Sequence, residues 1–203
     1  MPRKNLIRSE RLPYHVTTRT HQQEFFQLHL QEVWEIAQEA LKESFQLYRI
    51  ELISFVLMGN HYHMMLITPD GNIDYFMYEF NKRFALKLKK KTQQLNQIFG
   101  SRYKWSLIRT RSYYMNCYRY IYQNPIRANV VKKAEEYPFS TLYYIKNHLQ
   151  FSIPIHDQFG FKDKYTLEWI NQKISEDEVI KIKKDMKRFL EPIEKKKKVP
   201  GTF

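Results

Sequence analysis

The sequence predicts an α+β fold: a ferredoxin-like split βαβ sheet with helices packed on one face, followed by a C-terminal helical or irregular extension. Three observations predict it. Runs of β-branched and aromatic residues mark extended segments, apolar residues three and four apart mark helices, and the segments follow one another as strand, helix, strand, strand, helix, strand, helix.

"LPYHVTTR" (residues 12–19) has the content of a strand, and the following "LHLQEVWEIAQEALKESFQL" carries Leu30, Val33, Trp34, Ala37 and Leu41 at helical spacing. "YRIELISFVLM" reads as the second strand, Gly59-Asn60 as a turn and "HYHMMLIT" as the hairpin partner, closed by "PDGN". In "IDYFMYEFNKRFALKLKKK" the residues Phe76, Phe80, Phe84 and Leu88 recur every four positions, a helix with an aromatic stripe for the core and a lysine-rich end. "SRYKWSLIRT" is expected to be the last strand, and Ser112 to cap a helix through "YYMNCYRYIYQ" that Pro125 stops. Beyond "YPFSTLYYIKNHLQ" the periodicity weakens. "FSIPIHDQFGFKDKYTLEWI" has loop composition mixed with aromatics, and "SEDEVIKIKKDMKRFL" reads as a short helix capped by Ser175 with acids in its first turn. Residues 1–150 are therefore expected to form one unit. Residues 151–203 form the extension, ending in a Pro-broken tail whose lysine run at 195–198 reads as solvated.

Lys and Arg outnumber Asp and Glu 34 to 21, and aromatic residues make up 16% of the chain. That balance favours an anionic partner with stackable faces, nucleic acid first, against the plainer reading of a basic soluble protein. Cys117 is the only cysteine, which excludes an intramolecular disulfide and fits a reducing compartment. No apolar stretch approaches the roughly 20 residues that span a bilayer, and the N-terminus lacks the apolar region of a secretory signal. The expectation is a soluble cytoplasmic protein with no membrane partner.

Candidate chemistry sits in two segments. In "MGNHYHMML" the strand period sends His61 and His63 to one face, about 7 Å apart along the backbone, where both rings can grip one metal ion with open coordination positions. The alternative is a hydrogen-bonded histidine pair at a sheet edge. In "CYRYIYQNPIRANVV" Tyr120 and Asn124 stand four apart and share a helical face if the helix persists, a phenol beside an amide, suited to a nucleophile and a ligand. The alternatives are core or interface tyrosines, and Asn124 as the cap of a new short helix begun by Pro125.

Together these segments resemble the single-tyrosine HUH transposases, most closely their REP-associated branch. The resemblance covers residues 14–144, about two-thirds of the chain, through "YHVTTR", "LMGNHYHMMLITP", "FGSRYKWSLI", "YRYIYQNPIRANVV" and "YPFSTLYYI" in the family's order. It implies an enzyme that cleaves and rejoins single-stranded DNA at hairpin-forming repeat elements through a 5′-phosphotyrosine. It also implies a divalent metal, Mg²⁺ or Mn²⁺, on His61 and His63, with Tyr120 as nucleophile and Asn124 as third ligand. Tyr118 and Tyr122 are rival nucleophiles. The REP-associated branch suggests a monomer and more distant relatives a dimer. Contacts to DNA are expected from Tyr14, Arg19, Arg83, Lys87, Arg102, Lys104, Arg109 and Arg111, with His15 as a neighbour of the pocket and His21 and His29 on the surface. The competing functional readings are a transposase-derived protein that binds structured single strands without cutting, and a zinc-stabilised structural protein.

Overall fold

The computed structural model describes residues 5–156 and 164–186. Strands β1 (Tyr14–Arg19), β2 (Glu51–Leu57), β3 (His61–Ile67) and β4 (Lys104–Leu107) form one antiparallel sheet in the order β2-β3-β1-β4. Helices α1 (Leu30–Leu47) and α2 (Ile73–Thr92) connect them as the ferredoxin-like order requires. The period of two divides each strand between two cores. Tyr14, Val16, Phe55, Tyr62 and Met64 pack under α1 and α2, where Phe76, Phe80 and Phe84 form the expected aromatic stripe. Ile53, Val56 and Met65 face the other way, onto α3 (Arg111–Tyr122), which carries the tyrosines. The two crossover helices thus share one face, and the tyrosine helix lies across the opposite one.

Three local readings change. Thr110, not Ser112, caps α3: its side chain accepts from the Tyr113 N–H while Ser112 already lies inside the helix. A hydroxyl one residue before the first turn has the extended backbone a cap needs, and Ser112 does not. Next, the helical path does not end at the proline. After Gln123 it continues as α4 (Asn124–Arg127), with the Arg127 N–H donating to the Gln123 carbonyl and Pro125 in the first turn, where its missing N–H costs nothing. Finally, the stretch that read as loop contains a helix, α6 (Lys164–Asn171), and a short α5 (Thr141–Lys146) precedes it.

The chain beyond α4 also closes the edge at β2. The Leu57 N–H donates to the Phe139 carbonyl, and that of His156 to Leu52, so the outer strand offers less unpaired backbone. Helix α7 (Glu176–Asp185) has the expected Ser175 cap, reciprocated by Glu178. Phe151 and Ile153 enter the core under α1, while Ile170, Ile174, Val179 and Ile182 enter the one around α3. The lysine run at 195–198 lies outside the described residues. Among the described residues no helix is long and apolar enough to cross a membrane.

Candidate active site

β1, β3, α3, α4 and α7 converge on a cavity of about 570 Å³ lined by His15, Thr17, Arg19, His61, His63, Arg102, Lys104, Tyr120, Asn124, Arg127 and Lys183, among others. Sheet register assembles its floor. Thr17 lies opposite His63 and Arg19 opposite His61, so two adjacent central strands turn the same face to the cavity. The His61 and His63 rings stand 5.1 Å apart and nearly perpendicular. Gly59 lets the turn before them pack tightly, since a Cβ there would meet the Phe25 ring at 2.7 Å.

Helix α3 brings Tyr120 over this floor, its ring 5.6 Å from His63 and 5.9 Å from His15. Asn124 follows one turn later and donates from Nδ2 to the Tyr120 carbonyl at 2.8 Å, which leaves its Oδ1 as the atom able to meet a cation. The neighbouring tyrosines point elsewhere. Tyr118 is buried against Trp169 and Tyr122, and the Tyr122 hydroxyl bonds Thr141 Oγ1 at 2.9 Å. Tyr122→Phe should therefore cost about 1 kcal/mol in chemical denaturation, because Thr141 also accepts from the Phe55 N–H, and Tyr118→Phe and Tyr122→Phe should leave chemistry at the cavity intact.

Each histidine is held through Nδ1. His61 Nδ1 lies 2.7 Å from Asn60 Oδ1, and His63 Nδ1 lies 2.9 Å from His15 Nε2. Burial drives all three imidazoles toward the neutral form. The value for His15 falls to about 3 and that for His61 to about 4, helped in the second case by Arg19. His63 falls well below its ordinary value through burial and then through His15, His61 and Arg19. Neutral imidazole is the form that ligates a metal. Burial raises the Tyr120 phenol above its ordinary value, and Arg127 and Arg19 pull it partly back. The Arg127 guanidinium carbon lies 6.0 Å from that ring.

Among the described residues no group of three or more His, Cys, Asp or Glu side chains converges to hold a metal. The donor set is two neutral imidazoles and one amide oxygen, which fits a divalent ion that completes its sphere with water and an anionic substrate. Among the described residues no carboxylate lines the cavity, whereas Arg19, Arg102, Lys104, Arg127 and Lys183 do. Such a surface suits phosphate.

Other expected DNA contacts lie elsewhere. Tyr14 is a core residue on the far face of the sheet, fully buried, its hydroxyl donating to the Ile7 carbonyl and accepting from the Ser9 N–H. The strand period that turns His15 to the cavity turns its neighbour away. Arg83 bonds Glu43 at 2.9 Å, and Lys87 bonds Glu39 and Glu43 at 2.8 Å, so both clamp α2 to α1 behind the sheet. Arg109 and Arg111 are exposed but line none of this cavity. Sequence reasoning missed Asn60, Arg127 and Lys183. Only Asn60, next to His61 in the turn, offered a local signal.

A family model described as "Transposase IS200 like" matches residues 8–124, more than half of the chain. The chain belongs to the IS200-like transposase family. The family match spans β1 through Asn124 and so includes both histidines and Tyr120, while Arg127 and Lys183 lie beyond it. Curated relatives of this transposase-family chain include a REP-associated tyrosine transposase of Escherichia coli, 30% identical over 95 residues, and a protein of Haemophilus influenzae named for the same group, 24% identical over 115 residues. The matched segments cover 46% and 51% of this chain and 54% and 65% of those relatives. A solved structure of a REP-associated tyrosine transposase bound to a REP hairpin superposes with a TM-score of 0.63 at 21% identity, covering 80% of this chain and 96% of that one. The family member described here therefore has that fold.

Proposed function

We propose that the protein is a transposase that nicks and rejoins single-stranded DNA at hairpin-forming repeat elements, using Tyr120 as nucleophile. The observation that carries this reading is the Tyr120 ring 5.6 Å from His63, in a cavity lined by cations and, among the described residues, by no carboxylate. The Tyr120 oxygen attacks a backbone phosphorus, a Tyr–O–P bond forms to the 5′ end of the downstream fragment, and the P–O3′ bond opens to leave a 3′-hydroxyl on the upstream one. The phenol proton leaves to solvent and the departing 3′ oxygen takes one up. The covalent link keeps the phosphodiester energy, so the 3′-hydroxyl can attack it in return without a nucleotide cofactor.

The chain's own groups divide the work. Arg19, Arg102 and Lys104 hold the phosphates, and Arg127 beside the Tyr120 ring favours the phenolate that burial disfavours. His61, His63 and Asn124 would hold a divalent ion such as Mg²⁺ or Mn²⁺, which supplies charge neutralisation and orientation at the scissile phosphate. Positioning and charge stabilisation are what phosphoryl transfer needs most. Because one chain supplies both Tyr120 and the histidines, a monomer is sufficient for cleavage.

Ser101, Arg102 and Lys104 also line a second groove, of about 630 Å³, that holds Tyr78, Lys82, Tyr103 and Trp105 between β4 and α2. The larger opening is thus a continuation of the strand path across the sheet edge, away from the chemistry. Arg102→Ala and Lys104→Ala should each weaken oligonucleotide binding and reduce the slope of log affinity against log salt by about 0.7, while Arg83→Ala and Lys87→Ala should leave that slope unchanged and lower thermal stability instead.

The deciding experiment incubates the protein with a hairpin oligonucleotide from its own flanking DNA, with and without Mn²⁺, and looks for a covalent adduct on a denaturing gel. Tight hairpin binding with every strand uncut would make the protein a non-cleaving binder.

A further inference from the structure

His15 belongs to neither half of the motif pair, yet it is the most enclosed titratable group in the cavity. The β1 alternation puts it on the face of Thr17, and since Thr17 lies opposite His63, His15 sits diagonally behind that histidine, beside Met65. It is fully buried, its Nε2 is 2.9 Å from His63 Nδ1, and its own Nδ1 has no hydrogen-bond partner. A buried imidazole with one ring nitrogen unsatisfied is costly where an aliphatic side chain would pack freely. The polar contact that distinguishes His15 from such a side chain is its hydrogen bond to His63.

The companion histidine shows what such a bond does. Asn60 donates from Nδ2 to the Gln23 carbonyl at 2.7 Å, which fixes its amide and leaves Oδ1 facing His61 Nδ1. An amide oxygen only accepts, so the His61 proton sits on Nδ1 and the lone pair on Nε2. For His63 the partner is another imidazole, which can accept or donate. If His15 donates from Nε2, the His63 proton moves to Nε2 and no lone pair remains for a cation. If His15 accepts, His63 Nε2 is a ligand and the His15 proton occupies the unpartnered Nδ1.

We propose that His15 is a positioning residue: it accepts the Nδ1 proton of His63 and thereby presents His63 Nε2 to the divalent ion, as Asn60 does for His61. The inference rests on the metal-site reading given above. In switching between the two arrangements the net movement is one proton from His63 Nε2 to His15 Nδ1, with none released to solvent. Second-layer partners of this kind fix ring orientation and ligand basicity, and losing one typically costs about 10- to 100-fold in metal affinity.

Long-range ¹H–¹⁵N spectra of the wild-type protein saturated with Zn²⁺, a diamagnetic probe, should place the His15 proton on Nδ1 and the His63 proton on Nδ1. A His15 proton that stays on Nε2 overturns the proposal without any variant. Calorimetric Mn²⁺ titration should then show His15→Leu about 10- to 100-fold weaker. His15→Gln, whose amide oxygen can accept at the same reach, should recover to within about threefold. A folded His15→Leu protein that binds Mn²⁺ like the wild type, or a Gln variant as weak as the Leu variant, also overturns it. If His61→Ala and His63→Ala leave Mn²⁺ affinity unchanged, the metal-site reading itself has failed. If those two abolish binding and His15→Leu does not, only the role of His15 falls.

Discussion

Tyr120→Phe protein mixed with a hairpin oligonucleotide and Mn²⁺ is expected to yield no covalent adduct on a denaturing gel, while its hairpin affinity stays within about tenfold of wild type. The substitution removes one hydroxyl and nothing else. The ring keeps its place between His63, His15 and Arg127, and loss of a single polar group should change stability by no more than about 1.5 kcal/mol. Binding and chemistry therefore separate cleanly. A phenol with an ordinary pKa near 10 is ionised in about one molecule in a thousand at pH 7, and burial makes that fraction smaller for Tyr120. Residual adduct in the Phe variant would have to come from another nucleophile, and its appearance would sink the assignment. Tyr118 and Tyr122 are poor substitutes because their hydroxyls lie in the core beneath α3, and moving either to the cavity would require rotating the helix.

The distinction between those tyrosines marks what the sequence could and could not carry. The strand period identified His61 and His63 as neighbours on one face, and the helical interval paired Tyr120 with Asn124, because both relations are local. The same reasoning failed for Tyr14: alternation says that Tyr14 and His15 face opposite ways, but only the pairing of β1 between β3 and β4 decides which face is the site. Lysines and arginines on α2 looked like a phosphate track until α1 supplied Glu39 and Glu43 at ion-pair distance, a contact between helices some forty residues apart. Arg127 reaches the cavity because a new short helix, α4, starts at Asn124 with Pro125 in its first turn, the alternative the sequence offered to a stop at the proline. Helix α6 is eight residues long and draws its stability from burial against α3, through Ile170 and the bond from Gln123 Nε2 to the Ile170 carbonyl. Segments that short fold by tertiary contact rather than by intrinsic preference.

Acid should destabilise the metal-free protein far more than its surface charge suggests. His15 is fully buried with its pKa pushed down to about 3, whereas in the unfolded chain it titrates near 6.5. Between those two values the unfolded state binds a proton that the folded state refuses, so stability is fully present above about pH 6.5 and falls as pH drops through the window. At pH 5 the loss from this one group is about 2 kcal/mol. His63, lowered well below its ordinary value, and His61, lowered to about 4, act in the same direction. An upper bound near 6 kcal/mol for the three together approaches the whole stability of an ordinary domain. Urea midpoints should therefore fall steeply from pH 7 to pH 5, and His15→Leu should flatten that fall. Metal affinity should behave in the opposite way. Two imidazoles with ordinary pKa values would lose about a thousandfold in divalent-ion affinity at pH 5, because each is then neutral about 3% of the time. Here burial keeps them neutral, so Mn²⁺ affinity measured on the folded protein should be nearly constant from pH 8 down to about pH 5. A urea midpoint that does not move over this range, or a Mn²⁺ affinity that collapses below pH 6.5, would mean the histidines are solvated in solution and that the cavity floor is not packed as described.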